Sequence, residues 1–538
     1  MAFAAVFAFC FTGCALSGMA LDRLGTVWAR YNNMVALFTY VVSFFAFFFL
    51  LRALPYLGKF FQSVGANRYL DNRFFQPTGQ SFVYCFVFLA LCHLTAFLTF
   101  FPGVFTYDVL FQAHFFIGKD FMEMHPLLHN LMIYGALLIN QKLNSGILGV
   151  FIYTAFQVAT VLSVFAYCIR VLSKYNTPFL LKLGALLFFA FYPTNQVFPL
   201  VATKDIFFAV FVLLFVLLVT ELSIDKARFL NSKVKCCWFV IATLLVFLFR
   251  HNGFYAYILA LPVFLYFYIK TFQLDYKKIL LLFLLPVLLY EGFAVLKKAI
   301  GIRPPSLASS LSIPLQQLGR VRFLYDQTLS EDDKETYRKI IPPQNEMSYF
   351  PFSVDPLKFD NSILQHSDYI EDSLRNHPQY FKHLYFKWAR LYPKEYVDAF
   401  LVTNSGFWNP FGKYNGLMHS YLYTDTRWHS IFGIPVYSYD MFPKLRAWYN
   451  WIFKKEKFNN HLVTRVLFSI GANTWYLIAA CFILIYKRRY DLIMPLLLPL
   501  GLLVSVLFGP MVLLRYIYQN FLILPLLVVF CTCWDSSK

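Results

Sequence analysis

The sequence predicts a polytopic α-helical membrane protein with about twelve transmembrane helices and a large hydrophilic domain inserted before the last three. Three observations predict it. Of 538 residues, 59% are hydrophobic and only 14% charged, which is more apolar side chain than a soluble globule of this length can bury. Much of it, including many of the 65 Phe, falls in runs such as Val41–Leu51 and Phe207–Val219. Finally, the basic clusters all fall on one side when the runs are threaded through a bilayer in order.

The predicted spans are Ala2–Leu21, Met34–Leu51, Phe82–Phe101, Gly146–Ile169, Pro178–Tyr192, Asp205–Leu222, Cys236–Phe249, Phe254–Ile269, Ile279–Val295, Val466–Tyr486, Leu492–Leu507 and Tyr516–Phe530. Crossing the hydrocarbon takes about 20 helical residues, so Pro178–Tyr192 and Cys236–Phe249 are among the shortest for the task. Ala2–Leu21 lacks a basic n-region and reads as a first span rather than a cleaved leader. The chain thus divides into a transmembrane module over 1–298, an outer domain over 299–465 and C-terminal transmembrane helices over 466–538.

Orientation follows from Lys and Arg. With both termini cytoplasmic, the inner segments carry Arg52, Lys59, Arg68 and Arg73, then Arg170, Lys174 and Lys182, then Lys226, Arg228, Lys233 and Lys235. Lys270, Lys277 and Lys278, and finally Lys487, Arg488 and Arg489, continue the series on the same side. Short outer loops hold isolated cations. His125–Asn140 is apolar but would invert every later loop if it crossed, so it is expected as a juxtamembrane helix within an outer loop spanning 102–145. The net charge of +19 is therefore a topology signal, with the bilayer as partner and no continuous basic stripe for nucleic acid.

The outer domain is expected to be mixed α/β or mostly α. Ser330 caps a helix over Ser330–Ile340, His377–Arg390 is amphipathic, and the Asn- and Gly-rich stretch Asn404–Gly416 reads as loop. Gly301–Asn460 contains no Cys, so no disulfide framework braces it.

Chemistry concentrates in Phe101–Leu128. After the Pro102–Gly103 bend, Asp108 lies near the membrane surface, where poor solvation should raise its pKa and let it take a proton from a bound hydroxyl. The alternative is a solvated loop acid. Arg250 and Arg515 sit at outer span ends, against the positive-inside trend, which suits them to a phosphate; interfacial snorkelling is the bland reading. Lys204 and Asp205 open another span, as part of an acceptor site or as a helix-terminal pair. His125 is placed to orient Asp108 or bind substrate, although Pro126 after it also marks a helix start. His251 and Asn252 flank Arg250 and suit hydrogen bonds to a sugar, or simply satisfy their turn. Gln316, Gln317 and Arg320 begin the outer domain, within reach of a sugar.

Asp108, Asp120, Glu123 and Asp205 supply the oxygen ligands a divalent cation would want. No DxD pair occurs in the first outer loop, however, and Asp425–Arg427 lacks the second acid, so a metal-free site is preferred.

Four segments carry a family likeness: PGVFTYD (Pro102–Asp108), MHPLLHN (Met124–Asn130), ATKDIFFAVFVLL (Ala202–Leu214) and LFRHNGFYA (Leu248–Ala256). SIPLQQLGR (Ser312–Arg320) and LLRYIYQNFLILPLL (Leu513–Leu527) add to it. With these the chain resembles the GT-C superfamily of membrane glycosyltransferases, and more narrowly an uncharacterised bacterial branch of it. The resemblance implies an enzyme that moves a sugar from a polyprenyl-phosphate carrier to a hydroxyl on a glycan, lipid or protein acceptor, on the extracytoplasmic face. It also implies that Asp108 is the catalytic base. A polysaccharide polymerase or ligase, and a non-enzymatic transporter or flippase of lipid-linked glycan, are the competing expectations. Two related halves would mark many transporters, and the loops here are asymmetric.

Overall fold

The structure, a computed structural model, describes residues 1–28, 33–64, 68–117, 121, 123–358, 368–412, 424, 433–453 and 468–534. Among them every regular element is helical, and extended pairing is limited to isolated bridges. Eight of these helices are long and apolar enough to cross a membrane. A ninth results if Phe179–Phe191 and Pro193–Leu200, bent by 53°, form one broken span. Pro193 explains the break, since it cannot donate the hydrogen bond that would continue the helix. The chain is a polytopic helical membrane protein, the class its composition dictates, because in hydrocarbon the backbone must satisfy itself.

In chain order the first part comprises α1 (Ala2–Leu24), α2 (Asn33–Ser63), α3 (Gly79–Thr99), α4 (Tyr107–Ile117), α5 (Leu127–Lys142) and α6 (Leu148–Lys174). It continues with α7 (Phe179–Phe191), α8 (Lys204–Asp225), α9 (Lys233–Phe249), α10 (His251–Leu265) and α11 (Tyr276–Ala299). The insertion contributes α12 (Ser312–Leu324), α13 (Glu331–Arg338), α14 (Pro378–Leu391), α15 (Pro393–Trp408) and α16 (Pro443–Ile452). Then come α17 (Ile470–Tyr486), α18 (Leu497–Val506) and a last span, Leu514–Thr532, which opens as a tight turn. Each predicted span falls on one of these helices; α18, α7, α9 and α17 are short for a crossing, at 10, 13, 17 and 17 residues.

Burial ranks the helices. The apolar stretch of α8 is 89% buried, that of α2 only 11%. A helix apolar on every side belongs at the centre of a bundle or against lipid, and the two take these opposite places. α8 packs on α6, α9 and the last span, so the charged pair at its N-terminus, Lys204 and Asp205, is set at the heart of the molecule.

The predicted 299–465 unit splits into two parts. Residues from Ala308 to Tyr396 form a separate core around Leu315, Tyr337 and Trp388, whereas Phe407, Tyr449 and Ile452 join the core of the spans. Ser330 caps α13 as expected, accepting from Asp333 N at 3.2 Å, and α14 matches the predicted amphipathic helix. No strand occurs among the described residues of the unit, which removes the α/β alternative there. The expected loop from Asn404 is a second correction: α15 runs on to Trp408, with Thr403 and Asn404 donating to carbonyls one turn back. Its small residues serve contact rather than turning. A Cβ on Gly471 of α17 would overlap Asn409 and press on the Gly406 carbonyl, the close approach typical of membrane helix pairs. Residues 413–416 lie outside the described residues.

One connection positions the site. Val104 pairs with Val201 in a parallel bridge, with Val104 N donating to Leu200 O and Ala202 N to Val104 O, both at 2.9 Å. This fixes the Pro102–Asp108 turn against the start of α8.

Candidate functional site

The first turn of α4, the start of α8, the start of α10 and the start of the last span converge on one buried ion network. Asp108 and Asp205 are 4% and 0% exposed, which only close cations make tolerable. Arg515 Nη1 donates to Asp108 Oδ2, and its Nε lies 3.2 Å from Asp205 Oδ2. Arg250 Nη1 lies 3.2 Å from Asp205 Oδ1 without the alignment of a hydrogen bond. Both guanidiniums also lie over the Tyr516 ring, 4.6 Å away for Arg250 and 5.4 Å for Arg515. Asp205 therefore bridges two arginines, and Arg515 bridges two carboxylates.

Next to it, Lys204 Nζ donates to His125 Nδ1 at 2.5 Å. Burial and then the charges of Lys204 and Arg515 push the His125 pKa well below its ordinary value, so the ring is neutral. For Asp108 the expectation of a raised pKa is overturned. Burial does push it up, but Arg515 and Lys204 outweigh burial, and the net displacement is downward. Asp108 rests as a carboxylate clamped by a guanidinium.

A second group lies alongside. Glu123 accepts from Leu127 N at 3.2 Å, where α5 begins, and from Lys297 Nζ at 2.6 Å. His251 puts Nδ1 2.8 Å from the Tyr290 hydroxyl and Nε2 4.0 Å from Glu123 Oε2. Backbone bonds from Glu123 N to Arg303 O (2.9 Å) and from Arg303 N to Phe121 O (2.8 Å) stitch the first loop to the start of the insertion.

These residues border a cavity of about 1150 Å³. Its lining combines the cations Arg250, Lys297, Lys298 and Arg303 and the acid Glu123 with apolar surface from Tyr255 and Leu259 of α10, Val504 of α18, and Phe508. Those four apolar residues are largely exposed, and the cavity is open rather than enclosed. Arg250 and Tyr516 belong to both the cavity wall and the ion network, whereas Asp108 and Arg515 stand behind them and do not line the cavity.

The structure thus gathers Asp108, His125, Lys204, Asp205, Arg250 and Arg515 into one network and places Glu123, His251 and Asn252 on the adjoining cavity. Asn252 donates to Ser505 Oγ at 3.4 Å. Gln316, Gln317 and Arg320 are elsewhere. Gln316 binds the Phe350 carbonyl at 2.7 Å, Gln317 the Tyr396 carbonyl at 3.0 Å, and Arg320 joins Glu395 to the Gly25 carbonyl, each at 2.8 Å. Their work is to hold the insertion together and to the end of α1, since long polar side chains at a domain start serve its own backbone first. Asp120 and Asp425–Arg427 lie outside the described residues. Among the described residues no three His, Cys, Asp or Glu converge as metal ligands.

Lys297, Lys298, Arg303, Tyr290 and Tyr516 were not singled out from the sequence. The lysines carried the signal that marked Arg250 and Arg515, cations at the outer end of a span, but they also read as the domain boundary.

Behind the network, His129 is held by Gln112 Oε1 at 2.5 Å and the Tyr153 hydroxyl at 2.7 Å, and Tyr153 donates to Gln157 at 2.8 Å. Gln157 in turn donates to the Pro199 and Val201 carbonyls at 2.9 and 2.8 Å, bracing the Val104–Val201 clamp. Burial lowers the His129 pKa to about 3, so the neutral ring needs a donor on Nδ1. Turning the Gln112 amide over supplies one and satisfies its otherwise unbonded Nε2.

A pH dependence follows. His125 and His129 are neutral when folded but titrate near pH 6.5 when unfolded. Below that pH the unfolded chain binds more protons, so their stabilisation is complete above about pH 6.5 and is lost as pH falls toward the folded values. Asp108, with its folded pKa depressed, adds loss in the same direction at still lower pH. Between pH 7 and 5 the purified protein in detergent is expected to lose roughly 1–2 kcal/mol per histidine, seen as a falling thermal midpoint. A midpoint that holds constant or rises would contradict the neutral-ring assignment.

No curated protein and no solved structure matches the chain. Residues 99–532, most of the chain and the whole of this site, match the model of a family described as a family of unknown function (DUF6020), and the protein belongs to that family.

Proposed function

We propose that the protein is a membrane glycosyltransferase of the GT-C type, which moves a sugar from a polyprenyl-phosphate carrier to a hydroxyl acceptor. The observation that carries this reading is the mixed cationic and apolar lining of the cavity. It brings four cations, Arg250, Lys297, Lys298 and Arg303, together with the exposed apolar side chains Tyr255, Leu259, Val504 and Phe508. An anionic headgroup on a long apolar tail is the ligand whose two ends want those two kinds of side chain.

In the proposed reaction the acceptor oxygen bonds to the anomeric carbon while the bond from that carbon to the phosphate oxygen breaks. The leaving electron pair rests on the phosphate, where Arg250 and Arg515 offset it. The acceptor proton goes to Asp108. Its clamp by Arg515 gives this order a reason: a phosphate that draws Arg515 away removes the cation that depresses the carboxyl, and its proton affinity rises. The base is idle until the donor arrives. Every atom is accounted for without a metal, and a metal-free site remains our preference. We place the site on the extracytoplasmic face with both termini cytoplasmic, and we count the shorter α7, α9, α17 and α18 as passes, for twelve in all. The one-sided distribution of basic clusters supports this.

A second reading rests on a specific observation. Asp108 is clamped and does not line the cavity, which suits a flippase or transporter of the same lipid-linked glycan. The test compares lipid-linked and envelope glycans from cells carrying the wild type or Asp108→Asn at matched expression. The glycosyltransferase reading expects one sugar to vanish from an acceptor while its carrier-linked form accumulates. An intact glycan profile with a carrier-linked glycan trapped on one leaflet would favour the transporter, and loss of whole chains rather than single sugars a polymerase or ligase.

A further inference from the structure

The segment 433–453, which ends in α16, has the wrong outer face for water. Leu445, Tyr449 and Ile452 turn inward, at helical spacing, onto the core of the spans. Trp448 and Trp451, each 45% exposed, flank this stripe, and the approach to the helix exposes Tyr437, Tyr439, Met441 and Phe442. A helix whose exposed flank is as apolar as its buried stripe belongs against a second apolar phase.

Its depth is fixed by backbone bonds. Tyr439 N donates to Phe101 O at 2.7 Å, just past the end of α3, and Tyr437 N to Gly146 O at 2.9 Å, just before α6. Asn140 Nδ2 adds a bond to the Pro435 carbonyl at 3.2 Å, and the Tyr449 ring and the Arg446 guanidinium rest against Phe100 at 5.8 and 5.2 Å. Both α3 and α6 are membrane-crossing candidates by length and composition and carry exposed apolar residues, such as Val87 and Leu91 on α3 and Ile152 and Phe156 on α6. The segment is therefore level with the ends of two spans and continuous with their outward faces.

We propose that 433–453 is an interfacial anchor, lying in the headgroup–acyl boundary of the leaflet where α3 ends, with Trp448, Trp451 and the neighbouring Tyr, Met and Phe inserted into lipid. Trp and Tyr prefer this layer because they pair an apolar ring with a polar edge. Lys444, on the same exposed side, reaches the headgroups, and its stem covers apolar surface on the way. The occupant is the bilayer itself, and the inference stands apart from any assignment of activity. It sets the height of the Pro102–Asp108 turn, which hangs on the same span end.

The experiment uses the full chain in phosphatidylcholine proteoliposomes. The chain has nine Trp, so the signal is the difference in emission between wild type and the Trp448→Phe/Trp451→Phe variant. That difference is expected at blue-shifted wavelength, quenched by lipid brominated at the upper acyl positions and spared by aqueous iodide. Quenching by iodide with no effect of brominated lipid would place the face in water. Protection from both would place it against a protein. Either result overturns the proposal. Should the variant not fold, the same question is put to the wild type with a photoreactive acyl-chain carbene: adducts on Trp448 and Trp451 are expected, and adducts confined to the spans would refute the anchor.

Discussion

Arg515→Gln is expected to destabilise the protein by about 3–5 kcal/mol and to leave little folded material. The guanidinium serves Asp108 through Nη1 and Asp205 through Nε, and both carboxylates are almost wholly enclosed. Gln keeps some length and polarity but no charge, so two buried anions lose their shared counter-ion, and Arg250 offsets only the second. Adding Asp108→Asn neutralises one of them, and the double variant should recover part of the loss. Denaturation of the purified proteins in detergent measures both, and the coupling is the departure of the double variant from additivity. Additive losses would mean that Arg515 does not hold Asp108.

Gly103→Ala comes next in size. Gly103 has φ 140°, a conformation that residues with a Cβ rarely adopt, and a Cβ there would overlap Thr154 Oγ1. Thr154 sits on α6, which cannot retreat without opening the α5–α6 contact. Overpacking and backbone strain together should cost roughly 2–4 kcal/mol. They should also loosen the Val104–Val201 clamp that holds Asp108 beside α8. Thr154→Ala in the same chain removes the closest overlap, leaving only the Cβ of residue 154 at 2.9 Å, but not the φ strain, so it should restore part of the stability. Full restoration would show that packing alone is at stake, and no loss in the single variant would refute the assigned geometry of the turn.

How far the sequence could be read depended on the range of the forces involved. The bilayer writes its demand locally, as uninterrupted apolar stretches, and each of the twelve predicted spans therefore lands on a helix. The site residues were legible by the same rule in reverse, because Arg250, Arg515, Lys204 and Asp205 stood out as charges at span ends. Their partners were not. Arg515 meets Asp108 across 407 positions of chain, and with no partner in view the enclosed carboxyl looked like one with a raised pKa. Burial was inferred correctly, but the sign of the shift belonged to the guanidinium. Asn404–Gly406 misled for a related reason: small polar residues that usually make turns here let α15 pack closely on α17. Gln316, Gln317 and Arg320 looked available because their acceptors, backbone carbonyls far along the chain, carry no signature in a side-chain pattern.

The central claim, that this cavity receives a lipid-borne phosphate, is tested most directly by native mass spectrometry of the purified protein titrated with a polyprenyl monophosphate. Wild type is expected to retain one carrier molecule, Arg250→Met to lose most of it, and the corresponding uncharged polyprenol to bind poorly to either. Equal retention of phosphate and alcohol, or an undiminished Arg250→Met complex, would contradict the account.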